Sequence, residues 1–273
     1  MKIAIYTSES RGSINSYNIS QLLTHRPQYQ YKVVIVRDGA FKISWIDRLK
    51  RYIVELRDGR NYMRRDIAQL EKKVIEQCTV SDFSHLSVVY VPQVNDTDSQ
   101  NSIKEFAPDI ILQAGAGILK KEIFGLANIA TINVHHGYAP EIRGILSTFW
   151  CLYYGLTDRI GVTCHKVDET LDTGDVICQY QYPYQPGDTF IHIQEVLIKK
   201  GAEVLVKSID LLGVGEHIVR QTEEVNSYYF SKVDYRKYTA LMNQKFMAVE
   251  SSNHLKTKKK MKVFCFDQSV TKL

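Results

Sequence analysis

Cysteine is scarce in this 273-residue chain: there are five (Cys78, Cys151, Cys164, Cys178 and Cys265), no two spaced as CxxC. An odd count without that spacing argues against a zinc site or a disulfide framework. It points to buried thiols in a reducing cytoplasm, with no metal. Long apolar runs are also missing. No stretch approaches the roughly 20 residues of a membrane-spanning helix, and Met1–Tyr6 enters a strand-like segment with no secretory h-region. A cytoplasmic protein without a membrane partner is the expectation. Excess charge of one sign is absent as well. The 35 Lys and Arg against 30 Asp and Glu leave a formal +5, too little at this length to require nucleic acid. There is no internal repeat. What remains is ordinary globular material, 44% apolar and 24% charged, long enough to bury a substantial core.

Short β-branched runs alternate with helical stretches. Residues 2–6, 31–36, 87–91, 110–113 and 131–135 read as strands, and their near-continuous apolar character suits burial on both faces. The pattern predicts an α/β fold with an open, mostly parallel sheet. Residues 162–167 and 176–182, joined through Leu171–Asp175, read as a local antiparallel extension, and 147–154 and 190–212 as helices. Two segments break the rhythm. Residues 41–78 are too long for an ordinary connection, and Trp45, Ile46, Leu49, Ile53, Val54 and Leu56 recur at roughly helical spacing, so inserted helices are expected. The tail from 231 is polar and carries Lys256–Lys260, which predicts a short extension rather than a second domain.

Chemistry concentrates in one ordered string. Asn133 and His135 end a predicted parallel strand, where open α/β sheets present their active sites, and at i and i+2 they point the same way. Pro140 and Arg143-Gly144 follow, then Leu171-Asp172-Thr173-Gly174-Asp175. An amide, an imidazole and a carboxylate are three of the parts needed to move a small acyl group onto an amine. Ala114-Gly115-Ala116-Gly117-Ile118-Leu119 leaves a strand and reads equally as a strand-to-helix turn or a ligand loop. It is not a GxGxxG fingerprint. Near the N-terminus, Ser10 to Asn15 holds a glycine and hydroxyls before a helix, which serves either as a helix cap or as a phosphate site.

The string as a whole resembles the formyltransferases that use N10-formyltetrahydrofolate, over roughly residues 2–212 and most strongly over 110–176. The resemblance implies a Rossmann-like formyltransferase fold, with residues 1–230 as the catalytic domain (41–78 inserted) and 231–273 as the extension. It also implies catalysis by Asn133, His135 and Asp172. The Asn133 amide and a protonated His135 would donate to the formyl oxyanion, and Asp172 would take the amine proton. The co-substrate would sit against Ala116, Gly117, Ile118, Leu119, Val167 and Asp168. Arg11, Gly12, Ser13, Asn15, His136, Tyr138 and Arg143 would face the acceptor. Gly12, Ser13 and Asn15 echo a phosphate loop of the glycinamide ribonucleotide enzymes. His136 and Gly137-Tyr138-Ala139-Pro140 depart from the family pattern on the acceptor side. His165 matches a family histidine and is read as loop support.

Among acceptors, the short tail disfavours tRNA, and the insertion resembles the extra elements of sugar N-formyltransferases. A small-molecule acceptor, a nucleotide-linked amino sugar, is therefore expected, with a homodimer possible. The alternatives are a glycinamide ribonucleotide or methionyl-tRNA formyltransferase, or a non-catalytic protein binding nucleic acid or acidic surfaces. Asp172-Thr173-Gly174 also matches the aspartic-protease triplet, but it occurs once and within an α/β pattern.

Overall fold

The computed structural model describes residues 1–9, 13–37, 69–70, 72–74, 76–78, 83, 85–215 and 227–230. Arg11, Gly12, most of the 41–78 insertion and the whole 231–273 extension with its lysine run lie outside the described residues. Residues 69–70 and 72–74 are helical.

Seven strands form one sheet in the order β3-β2-β1-β4-β5-β7-β8. They are β1 (Lys2–Ser8), β2 (Gln30–Val36), β3 (Ser87–Val91), β4 (Ile110–Ala114), β5 (Ala130–His135), β7 (Gly161–Lys166) and β8 (Val176–Gln181). The first five pair in parallel, whereas β7 and β8 run antiparallel along the edge beyond β5. The chain moves outward from β1 to β3 and then returns to the other side of β1 as β4. That reversal makes a switch point at the carboxyl ends of β1 and β4, the usual location of ligands in such sheets.

Alternation along each strand feeds two helical layers. Ile3, Ile5, Ile110, Leu112, Ile132, Val162 and Cys164 pack in one cluster with Ile19 and Leu22 of α1 (Ser13–His25) and Val204, Leu205, Ile209 and Leu212 of α5 (Phe190–Gly213). On the opposite face, Ala4, Tyr6, Val34 and Ile111 pack with Ile103 of α2 (Thr97–Phe106) and Ile123 of α3 (Lys121–Phe124). Helix starts are capped as the sequence allows. Asp96 accepts from the Ser99 amide ahead of α2, and Thr189 from the His192 amide ahead of α5. Among the described residues no helix is long and apolar enough to cross a membrane.

Four elements were not foreseen: α2, α3 and the two strands of a small parallel pair, β6 (Ile142–Gly144) with β9 (Tyr228–Phe230), which stands apart from the main sheet. Both helices carry few apolar residues, and three-residue strands have no periodicity to read. Between β6 and β7, helix α4 (Ser147–Tyr154) packs Phe149 and Trp150 into a separate aromatic core.

Candidate active site

Strands β5 and β7 pair with Asn133 opposite His165 and His135 opposite Thr163. All four therefore share one face of the sheet at the carboxyl end of β5. Asp172 joins them from the loop after β7, where its φ of +56 holds a sharp turn. Asp168 fixes that turn by accepting from the Thr170 amide (3.0 Å) and the Thr173 hydroxyl (2.8 Å).

The carboxylate lies between two imidazoles. Its Oδ2 is 3.6 Å from His135 Nδ1 and its Oδ1 3.6 Å from His165 Nε2, with the three side chains only 8%, 3% and 14% exposed for His135, His165 and Asp172. The Gly144 amide donates to Asp172 Oδ2 at 3.0 Å. Burial pushes the Asp172 pKa up, but contact with His165, the nearby His135 and the Gly144 amide outweigh it and hold the group down to about 2.

Tautomers follow from the partners. His135 Nε2 must donate to the Ile142 carbonyl (3.1 Å), and His165 Nδ1 must donate to the Lys166 carbonyl (2.7 Å), because a carbonyl only accepts. His165 Nε2 faces both Asn133 Nδ2, 3.4 Å away, and Asp172 Oδ1, 3.6 Å away. Burial lowers the His135 pKa, Asp172 pulls it back up, and the His165 ring lowers it further; the net direction is down. Burial thus makes His135 harder to protonate than a free imidazole, against the pull of Asp172. A carboxyl held near 2 is a weak base.

A buried polar brace fixes the loop after β5. Thr163 donates to the Gly137 carbonyl (2.8 Å) and accepts from the Ala139 amide (3.1 Å), while Gln179 donates to the Ala139 carbonyl and to Thr163. Gly137 passes so close that an added Cβ would stand 2.8 Å from both the Ile142 oxygen and the Ser147 hydroxyl and would strike the His135 ring. No larger residue fits without moving the imidazole.

The other expected site residues divide. In the loop after β4, Gly117 has open space around its Cα and Ile118 is 67% exposed, whereas Ala116 and Leu119 are buried in the core beneath. Val167 is tied by its amide to the Thr131 carbonyl, and the Asp168 carboxylate is taken up by its own turn. Asn15 lies against Gly115, near the switch point. Ser13 starts α1. His136 does not join the cluster: it follows Val134 onto the opposite face, where its ring packs towards Gly201 of α5. Among the described residues neither of its ring nitrogens has a partner, and burial, with a smaller contribution from His135, lowers its pKa to about 4. Tyr138 turns towards Gly161, and Arg143 donates to Ser227 and lies over the Tyr229 ring. Sequence reasoning missed the roles of His165, Gly144 and the Ile142 carbonyl. The match of His165 to a family histidine was the one signal available.

A cavity of about 750 Å³ lies between α1 and α5 beside Tyr17, Gln21, Glu203 and Lys207. It sits behind the sheet, away from the paired histidines and carboxylate.

An open, mostly parallel sheet with an amide, two imidazoles and a carboxylate gathered at its carboxyl rim defines an α/β protein with a candidate site at its strand ends. Residues 63–209 match the family model described as formyl transferase, and the chain belongs to that family. The chain is similar to the methionyl-tRNA formyltransferase of Syntrophus aciditrophicus, 34% identical over 46% of this chain and 41% of that protein. It thus covers about two fifths of the curated relatives it matches. Its fold is shared with a 4-N formyltransferase from Francisella tularensis (TM-score 0.54, 16% identity, 86% of this chain and 77% of that one). It is shared also with the formyltransferase PseJ from Anoxybacillus kamchatkensis (TM-score 0.50, 16% identity, 91% and 95%), solved with UDP-4,6-dideoxy-4-formamido-L-AltNAc and tetrahydrofolate.

Proposed function

We propose that the chain transfers a formyl group from N10-formyltetrahydrofolate to a primary amine, through Asn133, His135 and Asp172. The observation that carries this reading is the Asp172 carboxylate set between His135 and His165, with Asn133 alongside, in a chain of the formyl transferase family.

The reaction forms one bond from the amine nitrogen to the formyl carbon, breaks the bond from that carbon to N10, and moves one proton from the amine to N10. Asn133 has two amide hydrogens. One points at His165, and the other is available to the formyl oxygen as it becomes negative. Asp172 stays anionic and favours positive charge on the attacking nitrogen and on the imidazole that receives its proton. A proton on His135 Nδ1 leaves both ring N–H groups facing acceptors, Ile142 oxygen on one side and Asp172 on the other. The same proton is then well placed to return to N10 as the folate leaves. The pterin is assigned to the loop after β4, at Gly117 and Ile118, with Val167 and Asp168 opposite. Ala116 and Leu119 support that loop from the core.

For the acceptor we favour a nucleotide-linked amino sugar, supported by the ligands bound in the PseJ structure and by the insertion at 41–78. Methionyl-tRNA is the second reading, favoured by the relatives that are similar in sequence. Supplying formylated folate with a panel of nucleotide-linked amino sugars, glycinamide ribonucleotide and methionyl-tRNA separates them. Release of tetrahydrofolate with an amino sugar alone is expected, whereas release only with tRNA would overturn the choice.

A further inference from the structure

Strand β6 touches the cluster twice through its main chain. Its Ile142 carbonyl accepts from His135, and its Gly144 amide donates to Asp172. Yet β6 has only three residues, and among the described residues its one strand partner is β9. A pair this small is marginal by itself. What fastens it is an aromatic stack: the Phe230 ring lies 5.2 Å from Trp150 at 12° and 6.1 Å from Tyr154 at 14°. Main-chain bonds complete the join, from Ile145 N–H to the Phe230 oxygen (2.8 Å) and from Tyr228 N–H to the Glu141 oxygen (2.7 Å). The contact is closest at Gly144. Its φ is +93, and an added Cβ would stand 2.8 Å from the Phe230 carbonyl carbon and 3.0 Å from its nitrogen. Gly144 is thus held by Phe230 while its amide holds Asp172.

We infer that the strand Tyr228–Phe230 is a positioning element for Asp172 and His135, acting through Gly144 and Ile142 although it lies some sixty residues beyond the turn it serves. Its consequence for turnover rests on the function proposed above; the physical coupling does not. If docking of β9 holds the Gly144 amide on the carboxylate, loosening β9 must make that carboxylate easier to protonate. By linkage, removing the charge from Asp172 must loosen β9 by the same factor. Among the described residues the other titratable groups facing Asp172 are His135 from β5 and His165 from β7, so both imidazoles have to be followed as well.

The test uses the full chain with ¹³C-labelled aspartate carboxyls, the Asp172 signal being assigned by its loss in Asp172→Asn. Phe230→Ala is expected to raise the Asp172 midpoint by roughly half a unit or more, about a threefold change in proton affinity. Phe230→Tyr keeps the ring and should restore the wild-type value. Tyr229→Ala removes an exposed ring from the same strand and should leave it unchanged. Should Phe230→Ala fail to fold, amide exchange in Asp172→Asn replaces it: the Ile145 and Tyr228 amides should exchange at least about threefold faster, with β1 and β4 unaffected. An unmoved midpoint in folded Phe230→Ala, or unmoved exchange in Asp172→Asn, overturns the inference. Neither readout needs turnover. A responsive carboxyl without formyl transfer would count against the proposed function alone, and formyl transfer with an unresponsive carboxyl against the coupling alone.

Discussion

His135 and His136 are adjacent in the chain, and His135 and both ring nitrogens of His136 are buried, yet the two sit in different surroundings. The alternation of β5 sends His135 to the face that carries Asn133, His165 and Asp172, and sends His136 to the face packed by α5. Burial lowers the pKa of both. Only His135 has an anion beside it and a carbonyl to receive its proton. A buried histidine becomes a working group through its partners, and burial alone leaves a ring that is merely hard to protonate.

The comparison breaks most visibly if the partnered face is dismantled. Asn133→Ala, His135→Ala and Asp172→Ala should each keep the fold and lower formyl transfer by roughly 10²-fold or more, the scale of a lost oxyanion donor or acid–base group. Circular dichroism and tetrahydrofolate release measured on the same samples check both halves. Gly137→Ala attacks the same face by crowding, since its methyl group would meet the His135 ring, the Ile142 oxygen and the Ser147 hydroxyl. Displacing the imidazole should reduce turnover by up to roughly 10²-fold, with a loss of about 1–3 kcal/mol in chemical denaturation from overpacking.

A smaller and more selective loss is expected away from the histidines. Gly117→Val forces a branched side chain onto a backbone with φ +100, and should weaken folate binding more than acceptor binding in separate titrations. Equal losses would remove the loop from the pterin site. The smallest effect on activity is expected at His136. His136→Leu removes an unpartnered polar ring and should leave turnover near wild type, with stability unchanged or raised at neutral pH.

The same substitution sharpens the acid behaviour. In the unfolded chain His136 titrates near 6.5, and in the fold at about 4. Between those values the unfolded chain binds the extra proton, so the fold loses stability as pH falls from 6.5 towards 4. That loss is a few kcal/mol at most. His136→Leu should flatten that part of the stability curve. An identical pH slope in both proteins would show that the ring is not buried as described.

Much of the fold was legible because parallel strands buried on both faces leave continuous apolar runs. β1 to β5 and the edge pair of β7 and β8 fall within a residue or two of expectation. Helices α2 and α3 were not, since α2 is mostly polar and α3 has four residues. The i, i+2 spacing of Asn133 and His135 correctly placed both side chains on one face. The same rule puts His136 on the other, and it was set among the acceptor residues only because it follows the motif. Pairing partners were beyond reach: nothing local in Tyr228–Phe230 says that it lies against Gly144, or in His165 that it faces Asp172. Such contacts arise from tertiary closure, which leaves no periodic trace.

The role proposed for the carboxylate between the two imidazoles is to support transfer of a formyl group from folate to an amine. Single-turnover release of tetrahydrofolate, with the amine acceptor in excess, tests it most directly when wild type is set beside Asp172→Asn, a side chain that tolerates the same backbone turn. Amine-dependent release in wild type, slowed by roughly 10²-fold or more in the variant, is the predicted result. Equal rates in the two proteins would contradict the account.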